Sequence, residues 1–386
     1  MYDVLIRNGR LIDPAQKLDG VFDVALAGGQ VAAVAESLAT AEARQVLEAR
    51  GLIVTPGLID AHVHIYEGVS HYGINADATC LRRGVTTVVD AGCSGAQTFP
   101  GLRKYIIEVS QTRILAYLNL SLMGMLSECA GELEDLRYAD TKAVLRTLEA
   151  NRDVLLGIKV RMEPAMVGQN AREVLKLARE TSDAAGLPLM IHIGDTAPAL
   201  PEILAATRAG DVVTHCFHDR PGGILDADGQ VLPSVRAAAD RGVFFDVGHG
   251  RGSFSFRVAR QALAQDLLPA TISTDLHSYN VDGPVHDMAT TMSKFLYLGL
   301  SLPQVVEMTT ATPARSVRMA DQIGTLRPGA SADVTLLELR PGPVALTDAS
   351  EQGRETVTAD QALVAVGAVR GGVVVFYSFE ESAPSA

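Results

Sequence analysis

The stretch "VTPGLIDAHVHIYEG", Val54 to Gly68, places His62 and His64 one residue apart at the end of an apolar run. Alternate residues of a β-strand share a face, so both imidazoles point to the same side. Such a pair can be hydrogen-bonded scaffolding, or it can hold a metal ion. The residue types at the ends of the other predicted strands decide between these two interpretations.

Short apolar, β-branched runs recur between helical stretches from residue 54 to residue 323. Eight of them are predicted strands: "GLIDAHVHI", "VTTVVDAG", "RILAYLNL", "LLGIKVRM", "PLMIHIGD", "DVVTHCFH", "GVFFDVGH" and "ATISTDLH". Between two of them, "NAREVLKLARETSDAAG" has helical spacing and stops at a glycine. Eight βα units in sequence predict an α/β fold, a (β/α)8 TIM-like barrel over residues 54–323, with any active site at the carboxyl ends of its strands.

The two ends of the chain have a different pattern, with alternating strands and Gly-rich turns typical of antiparallel sheet. Residues 1–53 contain "YDVLIRNGRLID" and "DVALAGGQVAAVAE", and residues 324–386 contain "ALVAVGAVRGGVVVFYS". We therefore expect a small β-sandwich domain formed by both termini, with a structural role. The final "EESAPSA" is expected to be a disordered tail.

Composition excludes several classes of partner. The chain has 386 residues, 47% of them hydrophobic, and a formal net charge of -12, so it offers no basic stripe for nucleic acid. Neither a signal peptide nor an apolar run long enough for a membrane helix is found, which predicts a cytoplasmic protein without a membrane partner. The four cysteines lack CxxC spacing, as expected for reduced thiols. A small-molecule substrate remains the expected partner, and a homo-oligomer stays open.

Five of the eight predicted strands end in metal-competent side chains: His62, His64, Lys159, His192, His215 and Asp275. Divalent cations such as zinc bind imidazole and carboxylate readily. Lys159 shares a face with Arg161, and two buried cations would repel each other. Carboxylation by carbon dioxide would turn Lys159 into an anionic carbamate able to bridge two metal ions. The alternative is a lysine paired with a core carboxylate.

With "PGLIDAHVH", "TTATPAR" (residues 309–315) and "GTLRPGASADV" (residues 324–334), this ligand order resembles the amidohydrolase superfamily of binuclear metal hydrolases across nearly the whole chain. The resemblance implies that His62, His64 and Asp275 hold the more buried metal. It implies that His192 and His215 hold the more exposed one, with carboxylated Lys159 as the bridge. Zinc is the metal that the family usually carries.

The chemistry of such a site predicts the mechanism. Water shared by two divalent cations has a pKa of roughly 7, which makes hydroxide available as the nucleophile at neutral pH. Asp275 would take the proton from this nucleophile and deliver it to the leaving group.

Dihydroorotases typically carry His-x-His-x-Arg, and the position of that arginine is Tyr66 here. A neutral phenol cannot replace a bidentate carboxylate clamp. Arg161 could be the anion anchor instead, or it could pair with a barrel carboxylate. His249, in a Gly-rich loop, and His277, on the face of Asp275, are further candidates to bind substrate.

The whole chain is similar to the dihydroorotase-like or deacetylase subgroup, which implies hydrolysis of a small acylated carboxylic acid. The leading hypothesis is an O-acetyl 2-hydroxy acid such as acetyl-mandelate, or an N-acyl amino acid. The alternative is a cyclic amidase of the dihydroorotase or hydantoinase type. A third hypothesis is a catalytically inactive structural homologue, which the six retained ligands disfavour.

Overall fold

The computed structural model describes residues 1–38 and 41–378, so the "EESAPSA" tail lies outside the described residues. Fifteen strands are formed within the described residues. In chain order they are β1 (Tyr2–Asp13), β2 (Leu18–Ala27), β3 (Gln30–Ala35), β4 (Ala43–Glu48), β5 (Ile53–Pro56), β6 (Leu58–Val63), β7 (Val85–Ala91), β8 (Arg113–Asn119), β9 (Leu155–Arg161), β10 (Leu189–His192), β11 (Val212–Thr214), β12 (Phe244–Asp246), β13 (Val334–Thr347), β14 (Thr356–Arg370) and β15 (Val373–Tyr377).

Helices fill most of the connections between the strands, and none in the described ranges is long and apolar enough to cross a membrane. They are α1 (Ala76–Thr79), α2 (Phe99–Leu102), α3 (Thr141–Ala150), α4 (Pro164–Val167), α5 (Ala171–Ala185), α6 (Leu200–Ala205), α7 (Pro233–Asp240), α8 (Phe256–Leu263), α9 (Met288–Tyr297), α10 (Leu302–Thr309) and α11 (Ala311–Ser316). Helix α5 ends as predicted at Gly186, whose left-handed backbone accommodates the C-cap.

The barrel is formed by β6 to β12, which pair in parallel and in sequence order. These seven strands confirm seven of the eight predicted ones. Their residues are buried almost throughout, as expected for a parallel sheet covered on both faces. The curled sheet places the carboxyl ends of its strands around one opening.

The eighth predicted strand, residues 270–277, is not a regular strand. It makes single parallel bridges, Thr271 to Asp246 and Leu276 to Val63, and so closes the gap between β12 and β6. One long-range bond and one backbone angle explain this: the Thr274 N–H donates to the Asp60 carboxylate, 3.0 Å, and Asp275 has a φ of 50°. Backbone donors satisfied by side chains and a left-handed residue cannot continue a ladder.

The two ends of the chain form one small domain, as predicted, and its eight strands belong to a single hydrogen-bonded sheet. The sheet is mixed and not purely antiparallel, because β4 and β5 both pair in parallel with β1. A separate apolar cluster, including Ile6, Leu26 and Leu336, forms its core. The predicted boundaries at residues 53 and 324 stay a prediction.

The long hairpin of β13 and β14 reaches from the small domain to the mouth of the barrel. Its tip, residues 348–355, is held there by backbone bonds, since the Ala349 N–H donates to the Phe254 carbonyl at 2.8 Å. Along the way the Leu363 N–H donates to the Ser293 hydroxyl of α9, 2.8 Å. The hairpin therefore connects the small domain with the carboxyl ends of the barrel strands.

Candidate active site

Two histidines and an aspartate meet at the opening of the barrel. His62 lies in β6, His64 follows it, and their Nε2 atoms are 3.3 and 3.0 Å from Asp275 Oδ1. Asp275 is held in place by its own backbone: its N–H donates to the His62 carbonyl, and its carbonyl accepts from Asn280 Nδ2, both at 2.8 Å. The left-handed turn at Asp275 is what brings this carboxylate to both imidazoles.

A second pair of histidines stands at the neighbouring strand ends. His192 is the last residue of β10, His215 follows β11, and their ring centroids are 4.2 Å apart. The Nδ1 of His215 lies 2.7 Å from the Gly248 carbonyl, so Nδ1 carries the proton and Nε2 is free. The Nε2 of His192 is 3.2 Å from Glu163 Oε1, a neighbour that the sequence analysis missed.

Lys159 lies in β9 and is completely buried. Its stem passes so close to Gly92 that a Cβ there would lie 2.6 Å from Lys159 Cβ, so only glycine fits at that position. Burial lowers the pKa of Lys159 to about 8. A substantial neutral fraction of this amine is therefore present near neutral pH.

The histidines of the site are kept neutral. Burial lowers the pKa of His64 to about 3, and burial together with the charge of Lys159 lowers the pKa values of His62 and His192 well below their usual range. Burial also raises the pKa of Asp275 to about 6. Neutral imidazoles with a free lone pair are the form that binds a metal ion.

These residues fit a metal centre, because their inward atoms are buried and lack hydrogen bonds. Among the described residues, the buried atoms without a hydrogen-bond partner include five of this site: His62 Nε2, Lys159 Nζ, His192 Nε2, His215 Nε2 and Asp275 Oδ1. Buried polar atoms without partners are costly, and a convergent set of them fits a bound ion. His62, His215 and Asp275 offer ligand atoms within 4.8 Å of one another.

A layer of hydrogen bonds behind the ligands fixes their orientation. His62 Nδ1 lies 2.8 Å from the Thr214 hydroxyl, which in turn donates to Asp246 at 2.7 Å. His64 Nδ1 lies 3.2 Å from Cys93 Sγ. His64, Asp90 and Cys93 form a second buried group of metal-competent side chains, so two such groups lie next to each other. None of the supporting residues was singled out from the sequence as part of the site.

The ligands open into a cavity of about 710 Å³, a size suited to a small molecule. One wall is aromatic: Tyr72 packs against His64 and His277 with centroid distances of 5.1 and 4.9 Å, and Tyr279 lies 5.7 Å from Tyr72. The other lining groups are mostly charged, with four arginines among them. The cavity therefore combines flat apolar contacts with cationic ones.

Two of the four predicted substrate-binding residues line this cavity. Arg161 does so while forming a buried ion pair with Glu132, the barrel carboxylate that the alternative interpretation required. His277 lines it too, and its Nδ1 accepts the Tyr279 N–H at 3.2 Å, which leaves Nε2–H as a donor.

The other two candidates, Tyr66 and His249, are not among the lining residues. The Tyr66 hydroxyl donates to the Thr98 carbonyl, 2.9 Å, in the connection between β7 and α2. His249 is fully buried, with Nε2 accepting from Lys294 Nζ at 2.8 Å and Nδ1 facing the Gly250 carbonyl at 3.0 Å. Both ring nitrogens of His249 are thus engaged by the protein itself.

Comparison with known proteins agrees with this geometry. A model of the amidohydrolase family matches residues 53–374. The chain is 37% identical over 330 residues to a deacetylase of Agrobacterium fabrum, a match that covers 85% of this chain and 81% of the relative.

Two solved structures are similar over nearly their whole length. The crystal structure of an adenine deaminase superposes with a TM-score of 0.90 at 34% identity, covering 97% of this chain and 99% of that one. The crystal structure of a dihydroorotase superposes with a TM-score of 0.88 at 34% identity, covering 98% and 100%. Three different activities occur in the names of these relatives, so the substrate has to be inferred from the cavity.

Proposed function

The chain belongs to the amidohydrolase family and is a hydrolase of that superfamily, and from this premise we propose that it is a metal-dependent deacetylase of small acylated carboxylic acids. The proposed substrate is an O-acetyl 2-hydroxy acid such as acetyl-mandelate, or an N-acyl amino acid. The proposed ligands are those predicted from the sequence: His62, His64, Lys159, His192, His215 and Asp275.

The observation that carries the proposal is the convergence of buried, unpartnered ligand atoms, of which Lys159, His192 and Asp275 line the cavity. When bound there, two divalent metal ions, most simply zinc, would polarise the scissile carbonyl and lower the pKa of water to roughly 7. The second buried group, at His64, Asp90 and Cys93, is also consistent with a centre of more than one ion.

The side chains of this protein would do the remaining chemistry. Asp275 lines the cavity, so its carboxylate can take a proton from the attacking water and pass it to the leaving oxygen or nitrogen. The Nε2–H of His277 can donate to the substrate from the aromatic wall. With a pKa of about 8, roughly a tenth of Lys159 is neutral at pH 7, and a neutral amine is what adds to carbon dioxide to give a carbamate.

The deacetylase of Agrobacterium fabrum supports removal of an acetyl group, and the cavity supports an anionic, partly flat substrate. The aromatic wall of Tyr72, His277 and Tyr279 offers faces on which an aryl ring can pack. An aryl 2-hydroxy acid meets both requirements.

Initial rates of the zinc-loaded protein test the proposal on both enantiomers of acetyl-mandelate, several N-acetyl amino acids, dihydroorotate and hydantoin. We expect enantioselective release of acetate that chelation abolishes and added zinc restores. Ring opening of dihydroorotate or hydantoin alone would support the cyclic amidase, which the dihydroorotase structure favours. Failure to bind zinc in the presence of bicarbonate would support an inactive homologue.

Replacing Asp275 by Asn tests the proton transfer. The amide keeps an oxygen for the metal but cannot act as a base, so kcat should fall by about 10² to 10⁴ while zinc content is largely retained. Rates and metal analysis on the same preparation check this. A variant that keeps most of its kcat with zinc bound would remove Asp275 from the proposed role.

A further inference from the structure

The charges that line the cavity are unevenly paired. Arg161 pairs with Glu132, and Arg220 pairs with both Glu163, 2.8 Å, and Glu351, 2.6 Å. These two guanidinium groups are therefore already neutralised by carboxylates of the protein.

The other two arginines of the lining, Arg251 and Arg354, are exposed and have no carboxylate partner within the described ranges. Arg251 lies over the ring of Tyr279, 5.8 Å from its centroid, which places its charge beside the aromatic wall. Glu128 also lines the cavity without an ion pair in this part of the chain, and Arg220 is shared by two carboxylates, so the formal charges of these arginines and glutamates sum to zero. Arg251 and Arg354 are nevertheless the two guanidinium groups of the lining that remain available to an anion.

The loop after β12 carries Arg251 to the mouth of the barrel, and the hairpin tip carries Arg354 there. Arg251 follows Gly250, whose backbone is so close to Asp275 that a Cβ there would lie 2.6 Å from Asp275 Oδ2. Arg354 belongs to the hairpin tip, which adjoins the same loop, since a Cβ on Gly252 would lie 2.4 Å from Glu351 Oε1. The two cations thus flank a contact between the hairpin tip and the loop beside the proposed base.

Asp219, in the loop after β11, also holds the hairpin tip. The Asp219 carboxylate accepts from the Ser350 hydroxyl and from the Glu351 N–H, and the Asp219 carbonyl accepts from Gln352 Nε2, 2.6 Å. Arg354 therefore projects from a turn whose backbone is fixed on the barrel.

We propose that Arg251 and Arg354 bind the carboxylate of the substrate, and that the hairpin tip of the small domain is part of the substrate site. Guanidinium groups bind carboxylates through paired, charge-assisted hydrogen bonds. An acid held there, with its flat group on Tyr279 and Tyr72, would present its acyl group towards Asp275. This deepens the proposed function and rests on it for the chemistry of the substrate.

Calorimetric titration of the zinc-loaded protein with mandelate, and with the neutral mandelamide, tests the assignment directly. In Arg251→Gln and in Arg354→Gln the affinity for mandelate should fall by at least about 10-fold, whereas any binding of mandelamide should change little. Arg257→Gln, an exposed arginine of α8 that does not line the cavity, is the matched control and should bind mandelate like the wild type. The Arg→Lys variants should recover part of the affinity.

Kinetics on acetyl-mandelate should give the same pattern, with KM raised and kcat nearly unchanged in both Gln variants. If the wild type binds mandelate through these arginines but hydrolyses no acetyl ester, the deacetylase proposal fails and the carboxylate site stands. If acetyl-mandelate is hydrolysed but neither Gln variant changes the affinity for mandelate, the carboxylate site is overturned. Absence of mandelate binding to the wild type overturns it as well.

Discussion

At the scale of single residues, Lys159 combines complete burial with the lack of a hydrogen-bond partner among the described residues. A permanent ammonium group in that position would face four neutral histidines and no neutralising hydrogen bond. A carbamate would replace the cation by an anion between the two histidine pairs. The chemical state of this one side chain therefore changes the charge of the site by up to two units.

Carbon-13 NMR of the zinc-loaded protein in labelled bicarbonate should detect this carbamate. We expect a bound carbonyl signal in the wild type that is absent in Lys159→Met, together with a loss of zinc from the variant. Lys176→Met, an exposed lysine of α5, is the control and should keep the signal. A wild-type spectrum without the signal, despite bound zinc, would contradict the carbamate.

Lys294 is a second buried lysine, and its effect is on stability. Burial lowers its pKa to about 7, whereas the unfolded chain holds this proton up to about 10.4. Between these values the unfolded state binds more protons, so stability rises with pH by about 1.4 kcal/mol per unit. The destabilisation by Lys294 is full below pH about 7, where its ammonium group is buried in the folded protein, and it disappears above the unfolded pKa.

Urea unfolding of the wild type and of Lys294→Met, at about pH 7.5 and about pH 9.5, isolates this contribution. The free energy of unfolding of the wild type minus that of the variant should increase as the pH rises. A difference between the two proteins that does not change with pH would show that Lys294 titrates normally. The loss of the bond to His249 lowers the stability of the variant at both pH values and does not affect the comparison.

The proposed metal ligands could be predicted from the sequence because residue type and strand parity together place them on one face. Tyr66 was expected at the substrate from its position in the His-x-His-x-Arg motif, and His249 from its Gly-rich loop. Neither signal tells how deeply a side chain is buried, and both residues lie outside the cavity lining. Arg251 and Arg354 carry no sequence signal, since lone arginines in Gly-containing turns are common on surfaces. Glu163 and Glu132 likewise lie in connections after strands, where single glutamates are common and carry no sequence signal.

At the scale of elements, the segment of residues 270–277 shows how a barrel can close without a regular eighth strand. Asp246, at the end of β12, accepts hydrogen bonds from Thr271 and Ser273 of this segment and from Thr214 of β11. Burial raises the pKa of this carboxylate, while the three hydroxyl groups oppose that shift. These side-chain bonds add to backbone bonds on both sides of the segment, where the Val247 N–H donates to the Thr271 carbonyl and the His64 N–H donates to the Leu276 carbonyl, both at 3.0 Å.

Replacing Asp246 by Ala should affect both closure and the metal. Three buried hydroxyls would lose their acceptor, so the free energy of unfolding should fall by about 3 kcal/mol. Because Thr214 would no longer be fixed behind His62, zinc affinity should fall by about 10- to 100-fold. Asp240→Ala, at the exposed end of α7, is the control, and equal zinc affinity in both variants would contradict the orienting role.

The strand pattern of the sequence predicted seven barrel strands correctly and one incorrectly. The run "ATISTDLH" has the apolar, β-branched composition of a strand. What the composition does not reveal is that Asp60 and Thr274, far apart in sequence, divert its backbone donors. Long-range side-chain bonds of this kind are invisible to a local pattern.

At the scale of the whole molecule, both ends of the chain meet in one sheet, and the C-terminal part returns to the barrel. The sequence indicated the shared domain but gave the domain only a structural role. The hairpin of β13 and β14 changes that assignment, because its tip lines the cavity with Ser350, Glu351 and Arg354. The position of a turn on another domain depends on tertiary contacts, so it could not be predicted from the residues of the turn alone.

Releasing the tip from the barrel should be measurable without any substrate. In Asp219→Ala two of the bonds that hold the tip are lost, so amide hydrogen exchange in residues 348–355 should become faster. Asp228→Ala, an exposed residue of the same barrel loop, should leave that exchange unchanged. Equal exchange in the two variants would mean that Asp219 does not anchor the tip.

The placement of the hairpin tip has an evolutionary consequence. Turns between strands tolerate changes in sequence and length, whereas strand ends that hold a metal do not. A protein built this way can acquire a new substrate preference by altering residues 348–355 while the hydrolytic centre stays as it is. Relatives with the same catalytic residues can therefore diverge in their substrates through a segment that lies outside the barrel strands.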